Sequence, residues 1–377
     1  MLRLDPDFTL IESGQSLSGG DFRPIADAVI DIAKCGTHGV ISGLLSNHDI
    51  YLLRDLSSPP DILPNSEKIW LQTSGTTGKP KWVGHSLEAL NARIQGGGDR
   101  ARWLLSFNPG SFAGLQVILS AMKGGHTLIA PDYGDDIAKM AELSIQTDVT
   151  HISGTPTFWR AFQMSLGNRN LKLKSITLGG EAADQGLLDS LRARFPNAHL
   201  RHIYATTEVG TIFSVSDGLA GFPRSWLDAD IKGIHLSVSD HDTLMVINTK
   251  ASVLAQTQAW DTGDVVELCG ERVLFKGRID AMVNIGGVKV YPESVEAHLL
   301  QLPYIQDVRV SSRPSPVTGS ILVSEIVLRP HLQDAQDSLL AQIKAHLKTL
   351  PRSHRPASIR VVDSLDITVA GKKVRSS

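Results

Sequence analysis

Residues 73–81 read TSGTTGKPK, a run whose residue types and spacing suit the binding of an anionic ligand. Gly75 and Gly78 have no Cβ, so their backbone can approach a ligand closely. Successive amides in such a turn form a nest that attracts anions. Thr73, Ser74, Thr76 and Thr77 add hydroxyl donors, and Lys79 and Lys81 add positive charge. Together these groups suit a polyphosphate. The spacing excludes a Walker A loop, which places four residues between its first Gly and its Gly-Lys pair and follows them with Ser or Thr. Here two residues separate Gly75 from Gly78, and Pro80 follows Lys79. An apolar run at 69–72 precedes the loop and a periodic run from Ser86 follows it, which predicts strand, phosphate loop, helix.

TSGTTGKPK is similar to the phosphate-loop signature of the adenylate-forming superfamily: acyl- and aryl-CoA synthetases, adenylation domains of peptide synthetases, and luciferases. Trp82 is a departure, standing where that family usually has Gly. Further motifs follow in the family's order. GGE at 179–181 ends a predicted strand, the end at which parallel sheets bind ligands. The resemblance makes Gly179, Gly180 and Glu181 the lining of adenine and acyl pockets. YATTEVG at 204–210 follows another strand, and Tyr204 offers an aromatic face for adenine. The resemblance assigns Thr207 to the α-phosphate and Glu208 to Mg²⁺, a hard ion satisfied by one or two carboxylates plus phosphate oxygens. DTGD at 261–264 stands ahead of GRID at 277–280. Asp264 resembles the family's ribose-binding Asp, since a carboxylate accepts from both sugar hydroxyls. Arg278 would reach the same sugar, and Asp280 resembles the hinge between two domains.

The run 278–296, RIDAMVNIGGVKVYPESVE, is family-like throughout. Resemblance places its glycine turn at a thiol tunnel, with Gly287 the better match and a large side chain there blocking a pantetheine arm. In TVAGKKVR at 368–375, the family's catalytic lysine maps to Lys372. Asp366-Ile367 departs from the family's usual Pro-Arg, so Lys373 stands as the alternative. The implied activity is that of an ATP-dependent, AMP-forming carboxylic acid–CoA ligase. Its cofactors would be ATP, Mg²⁺ and CoA, or the phosphopantetheine of an acyl carrier protein in a carrier-loading variant. The resemblance further implies that Lys372 serves adenylation and that the carboxyl-terminal domain then swings about Asp280 to present the Gly287 turn to the thiol. Segment 107–115, FNPGSFAGL, corresponds to the acyl-pocket lining. Amino-acid-activating relatives carry an Asp where this chain has Asn108; Asn there resembles aryl-acid-activating relatives, so an aryl or other small organic acid is expected. A non-catalytic nucleotide-binding descendant is the reading from a different class, and Glu208, Asp264 and Lys372 argue against it.

The elements that must position these residues alternate. Apolar runs at 69–72, 103–107, 126–130, 150–153, 175–178 and 200–204 predict strands; periodic runs at 86–94, 112–122, 136–145, 156–166 and 184–195 predict helices. Ser86, Thr155 and Asp184 precede helical runs as N-caps. The alternation implies an α/β fold with a parallel sheet. An earlier helix is expected from Pro24 to just before Gly36, and SSPPDILP at 57–64 reads as a linker. Beyond about residue 210 the runs become antiparallel in style, with a hairpin across 269–271. Two helices, at 292–302 and 334–347, belong to a compact α+β tail. The expected domains are 1–277, a large nucleotide- and acid-binding α/β domain with a small antiparallel part and a truncated amino terminus, and 278–377, a small mobile α+β domain.

Bulk properties exclude several classes. A net charge of −2 leaves no electrostatic footprint for nucleic acid or an anionic membrane. Cys35 and Cys269 form no metal or disulfide pattern and fit a reducing cytoplasm. No apolar run reaches the length of a membrane span, and the first residues do not resemble a signal peptide. The segment ahead of the phosphate loop is shorter than in relatives, which implies exposed apolar surface and a homodimer.

Overall fold

A computed structural model describes residues 4–54, 68–73, 81–92, 94, 99–207, 209–248, 259–329, 336–366 and 373. The described residues fall into two compact units. The first takes 4–181 and 191–216; the second takes 182–190, 217–366 and 373.

Eight strands build the large sheet of the first unit, in the spatial order 210–215, 199–206, 175–179, 151–154, 102–105, 127–130, 9–12, 15–18. Its six inner strands run parallel, and the two edge strands are antiparallel to their neighbours. Helices Phe112–Lys123, Ile137–Gln146 and Pro156–Leu166 connect successive strands as the alternation predicts. Thr155 caps the last by accepting the Phe158 N–H at 2.9 Å. Asp184 caps Gln185–Arg194 through the Leu187 N–H at 3.1 Å, and Ser86 accepts the Ala89 N–H at 3.1 Å.

A second, four-stranded sheet comes from the first 86 residues: Val29–Asp31, Ile50–Leu53 and Lys68–Thr73 in parallel, then Lys81–Ser86 antiparallel. The run at 69–72 therefore belongs to this sheet and not to the large one. One core serves both sheets: Leu10, Leu105 and Leu128 meet Ile30, Leu52 and Leu71 through helix side chains Val40, Ile41, Leu115, Ile118 and Met122. Each such side chain, once buried, contributes about 1.5–3 kcal/mol.

The helix expected from Pro24 to before Gly36 is not there. Val29 and Ile30 pair with Tyr51 and Leu52 as a strand, which their β-branched side chains favour. The helix spans Ile32–Leu44, begins at Asp31, whose carboxylate accepts the Ala33 N–H at 3.1 Å, and breaks at Gly36 (φ 58°, ψ −160°). It restarts because Glu12 takes the N–H groups of Thr37 and His38 at 2.6 and 3.0 Å. A carboxylate at a helix start both satisfies orphan donors and complements the dipole. The expected linker at 57–64 lies outside the described residues.

In the second unit, a five-stranded antiparallel sheet runs in the order 222–223, 272–278, 260–269, 243–248, 234–238. The hairpin across 269–271 is present, with Cys269 opposite Arg272. A three-stranded sheet (305–315, 319–328, 358–361) packs helices Pro292–Leu299 and Gln336–Leu347 around Val295, Leu299, Val308, Ile326 and Ile343. The fold is mixed α/β, with a large amino-terminal and a smaller carboxyl-terminal part. Both cysteines are free and exposed. No helix among the described residues is long and apolar enough to cross a membrane. The large exposed apolar side chains among the described residues are Tyr133, Leu219, Leu268, Ile279, Val288 and Val317, none of them in the amino-terminal sheet.

Candidate functional site

The phosphate loop is held differently from the expected strand-to-helix turn. Lys68–Thr73 and Lys81–Ser86 form an antiparallel hairpin, with Thr73 opposite Lys81 and Gln72 opposite Trp82. Aromatic Trp82 and β-branched Val83 favour this strand, and the helix begins only at Leu87. Ser74, Gly75, Thr76, Thr77, Gly78 and Lys79 lie outside the described residues, between those paired ends. Trp82 has a structural use: its ring meets Tyr51 edge-on at 5.7 Å, and Tyr51 stacks on Trp70 at 5.7 Å. The loop's root is thereby fixed to the sheet by three aromatic rings. Lys81 is exposed at the start of its strand.

Gly179 ends the strand Ser175–Gly179, beside Ile203 of the parallel strand His199–Thr206. Both strands carry their motifs at carboxyl ends, where open parallel sheets place ligands. Gly180 has φ +82°, a left-handed value that glycine adopts without strain. Glu181 Oε2 accepts the Thr157 N–H at 3.0 Å, at the start of helix Pro156–Leu166. Here Glu181 acts as a helix-terminus carboxylate that steadies the turn. Tyr204 stacks on Phe213 across the hairpin, ring centroids 5.2 Å apart at 26°. Thr206 pairs with Gly210, and its hydroxyl accepts the Val209 N–H at 3.2 Å. That tight turn carries Thr207; Glu208 lies outside the described residues.

Asn108 is 6% exposed. Its Oδ1 accepts the Gly110 N–H at 2.9 Å, and its carbonyl accepts from the Ser111 N–H and hydroxyl at 2.9 and 2.7 Å. Ser111 in turn caps helix Phe112–Lys123 through Gly114 at 3.0 Å. A Cβ on Gly114 would sit 2.1 Å from the Asn108 carbonyl oxygen, so the turn closes only over glycine. Asn108 builds its own loop as well as lining it.

Three expected residues converge in the second unit. Asp264 lies opposite Arg278 in the pair of strands Trp260–Cys269 and Arg272–Arg278. The Arg278 guanidinium reaches Asp264 Oδ1 at 3.5 Å, donates to the Thr262 carbonyl at 2.9 Å, and forks onto both Asp280 oxygens at 3.1 and 3.2 Å. One arginine thus links the expected ribose carboxylate to the expected hinge carboxylate. Gly287 lies in the turn between Val283–Ile285 and Val288–Val290, at φ +87°, and donates its N–H to Asn284 at 2.9 Å. Gly286 donates to the Thr318 carbonyl at 3.0 Å, which fixes the turn against the hairpin 305–328. Between them opens a groove of about 570 Å³, bordered by Asn284, Gly287, Ser312, Thr318 and Ser320. A Cβ on Gly287 would meet nothing within 4 Å.

Lys372 lies outside the described residues. Its alternative, Lys373, is engaged: its side chain is 7% exposed and lies 2.8 Å from Asp307 and 3.6 Å from Glu296. It also donates to the Val308 carbonyl at 2.6 Å. These contacts tie Lys373 to the strand Ile305–Ser315 and the helix Pro292–Leu299. Sequence spacing did not reveal this cluster, because its members are 65 or more residues from Lys373 and meet only through the fold. Among the described residues no three His, Cys, Asp or Glu side chains gather as a metal site.

Comparison with known proteins bears on the family and the fold. Residues 37–253 match the AMP-binding enzyme family, and 294–372 match the AMP-binding enzyme C-terminal domain. A plipastatin synthase polypeptide of Bacillus subtilis (strain 168) is 24% identical over 357 residues, 83% of this chain and 14% of that protein. The 2-succinylbenzoate–CoA ligase of Listeria monocytogenes serotype 4b (strain F2365) is 24% identical over 330 residues, covering 81% of this chain and 68% of that one. Among solved structures, o-succinylbenzoate CoA synthetase (MenE) from Bacillus subtilis, in complex with the acyl-adenylate intermediate OSB-AMP, aligns with a TM-score of 0.65 at 18% identity, over 98% of this chain and 94% of that one. At that identity the likeness speaks to fold.

Proposed function

The chain belongs to the AMP-binding enzyme family, and on that premise we propose that it is an ATP-dependent, AMP-forming acid–thiol ligase. It joins a small carboxylic acid, aryl by preference, to the thiol of CoA through an acyl-adenylate. The observation that carries the reading is the Asp264–Arg278–Asp280 cluster, which sets a ribose-type carboxylate and a hinge-type carboxylate on one guanidinium.

In the first step the acid's carboxylate oxygen attacks the α-phosphorus of ATP, and pyrophosphate leaves with the electron pair of the broken P–O bond. Loop 73–81 holds the phosphates with its amides and hydroxyls. Asp264 accepts from the ribose hydroxyls, Tyr204 covers adenine, and Thr207 donates to the α-phosphate. Lys372 neutralises charge that develops there, a role in which fixed positive groups matter most. Asn108 spends Oδ1 on Gly110, so its amide N–H remains to orient a polar substituent of the acid. In the second step the thiol sulfur attacks the acyl carbonyl carbon, AMP leaves, and the thiol proton passes to solvent. We assign residues 278–377 as the part that turns about Asp280 between steps, and Gly287 as the point where the pantetheine arm passes.

Magnesium fits the donor set of the turn after the strand His199–Thr206, where a threonine hydroxyl and the Glu208 carboxylate are both hard oxygens. When bound it would screen phosphate charge. A carrier-protein pantetheine is the second reading for the thiol. No Lys or Arg among the described residues lines the groove at Gly287, so nothing there selects for the 3′-phosphate of CoA. Acid-dependent exchange of pyrophosphate into ATP, across a panel of aryl and aliphatic acids, tests the first step. Absence of exchange with every acid would refute the ligase reading. A comparison of CoA with pantetheinylated carrier protein then decides the acceptor.

A further inference from the structure

We propose that Arg54 is an oxyanion-binding residue of the substrate site, taking either a phosphate group of the nucleotide or a second carboxylate on the acid. The inference deepens the ligase reading and rests on it only for where the anion comes from. Arg54 follows the carboxyl end of the strand Ile50–Leu53, beside the parallel strand Lys68–Thr73 from which the phosphate loop leaves. Its backbone N–H donates to Gln72 Oε1 at 3.0 Å, and its Nη2 donates to the Gln72 carbonyl, one residue before Thr73. From the other side comes the Asn108 turn: a Cβ on Gly110 would lie 3.3 Å from Arg54 Cγ. The Arg54 stem therefore touches the loop that carries Asn108, and its guanidinium reaches the root of the phosphate loop.

What is unusual is how little holds that charge. Of the five N–H groups an arginine carries, one is engaged by Gln72 among the described residues. Nε is buried with no hydrogen-bond partner among them. Burial pulls the guanidinium below the ordinary arginine range, and the group that opposes this is the Tyr133 phenol, with no Asp or Glu among the described residues contributing. Buried charges are normally paired, because desolvating an ion without a counter-charge is costly. An arginine retained only to bond the Gln72 carbonyl would need neither its charge nor its remaining donors. A planar fork of N–H groups matches carboxylate and phosphate oxygens two at a time, so an arriving oxyanion supplies the missing partner.

Isothermal titration of wild type and R54M with inorganic pyrophosphate, benzoate and phthalate tests this. Benzoate and phthalate share a ring and differ by one carboxylate. The expected result is that R54M loses about tenfold or more in affinity for pyrophosphate or for phthalate, that benzoate binding is unchanged, and that R54K recovers part of the loss. Loss confined to pyrophosphate assigns the anion to the nucleotide, and loss confined to phthalate assigns it to the acid. Equal affinities in wild type and R54M, or no binding of either anion to wild type, would overturn the proposal. R54M should fold, since it removes a buried charge with no ion-pair partner among the described residues. If it does not, thermal protection of wild type by each anion, against sodium chloride of equal ionic strength, replaces the comparison, and absence of protection overturns the idea. Anion binding that depends on Arg54, in a protein that exchanges pyrophosphate with no acid, would sink the ligase reading and leave this one standing.

Discussion

Replacing Lys373 by Met should unfold the carboxyl-terminal part before it alters any chemistry. Lys373 Nζ sits 2.8 Å from Asp307 and 3.6 Å from Glu296, with side-chain exposures of 7%, 10% and 7%. At an effective dielectric constant of about 20 the gross attractions are about 6 and 5 kcal/mol. Desolvation of three ions offsets most of that, so the intact cluster adds little net stability. Methionine keeps the volume but takes the cation from two buried carboxylates, whose bonds include those from the backbone N–H groups of Val308 and Val310. Breaking a buried pair by removing one partner costs about 3–5 kcal/mol. For a unit of this size each kcal/mol lowers the melting temperature by about 2–4 °C, so a fall of roughly 10 °C is expected in calorimetry. The triple variant K373M/D307N/E296Q, with no stranded charge, should regain a large part. A loss under about 1 kcal/mol in K373M would refute the anchoring argument. Unchanged stability combined with abolished adenylation would make Lys373 the catalytic lysine instead.

Three further expectations follow from particular groups. K372A should lower acid-dependent pyrophosphate exchange by about 10²–10³ while sparing thioester formation from supplied acyl-adenylate; equal loss in both half-reactions would remove its assigned role. G287L puts a side chain at φ +87° facing the groove and should slow the thiol half-reaction by about tenfold or more with exchange intact, which rapid-quench assays of each half-reaction would separate. His151 is held at about 4 by burial first, then by repulsion from His126, Lys174 and Arg201. The folded protein thus keeps it neutral where the unfolded chain binds a proton, so stability is whole above pH about 6.5 and falls as pH drops towards about 4. The full shift is worth about 3 kcal/mol, and partial exposure reduces this to about 1–2. Urea denaturation from pH 7 to 4 should show a shallower decline in H151Q, and identical slopes would contradict it.

Much of the large sheet was legible because its periodicity is local. Thr127–Ala130, Ser175–Gly179 and the helices between them announce themselves by apolar spacing, and Thr155 and Asp184 cap where their types say they should. The family resemblance of DTGD and GRID pointed to Asp264, Arg278 and Asp280; strand pairing sets Asp264 opposite Arg278, whose guanidinium also reaches Asp280. The phosphate loop's setting differs from the expected strand-to-helix turn, since the strand preference of Trp82 and Val83 is confined to two residues ahead of the helical run, and pairing with Lys68–Thr73 decides for strand.

By itself the amino-acid sequence determined the element types over most of the chain, the order of the motifs and the family they belong to, because these depend on residues near one another along the chain. Tertiary structure alone decided where the first helix starts, since Glu12 caps it from 25 residues away. It alone decided that Lys373 is an anchor for Asp307 and Glu296, and that Arg54 carries a buried Nε beside Gln72. Those outcomes depend on which groups share a desolvated space, and no spacing rule encodes that.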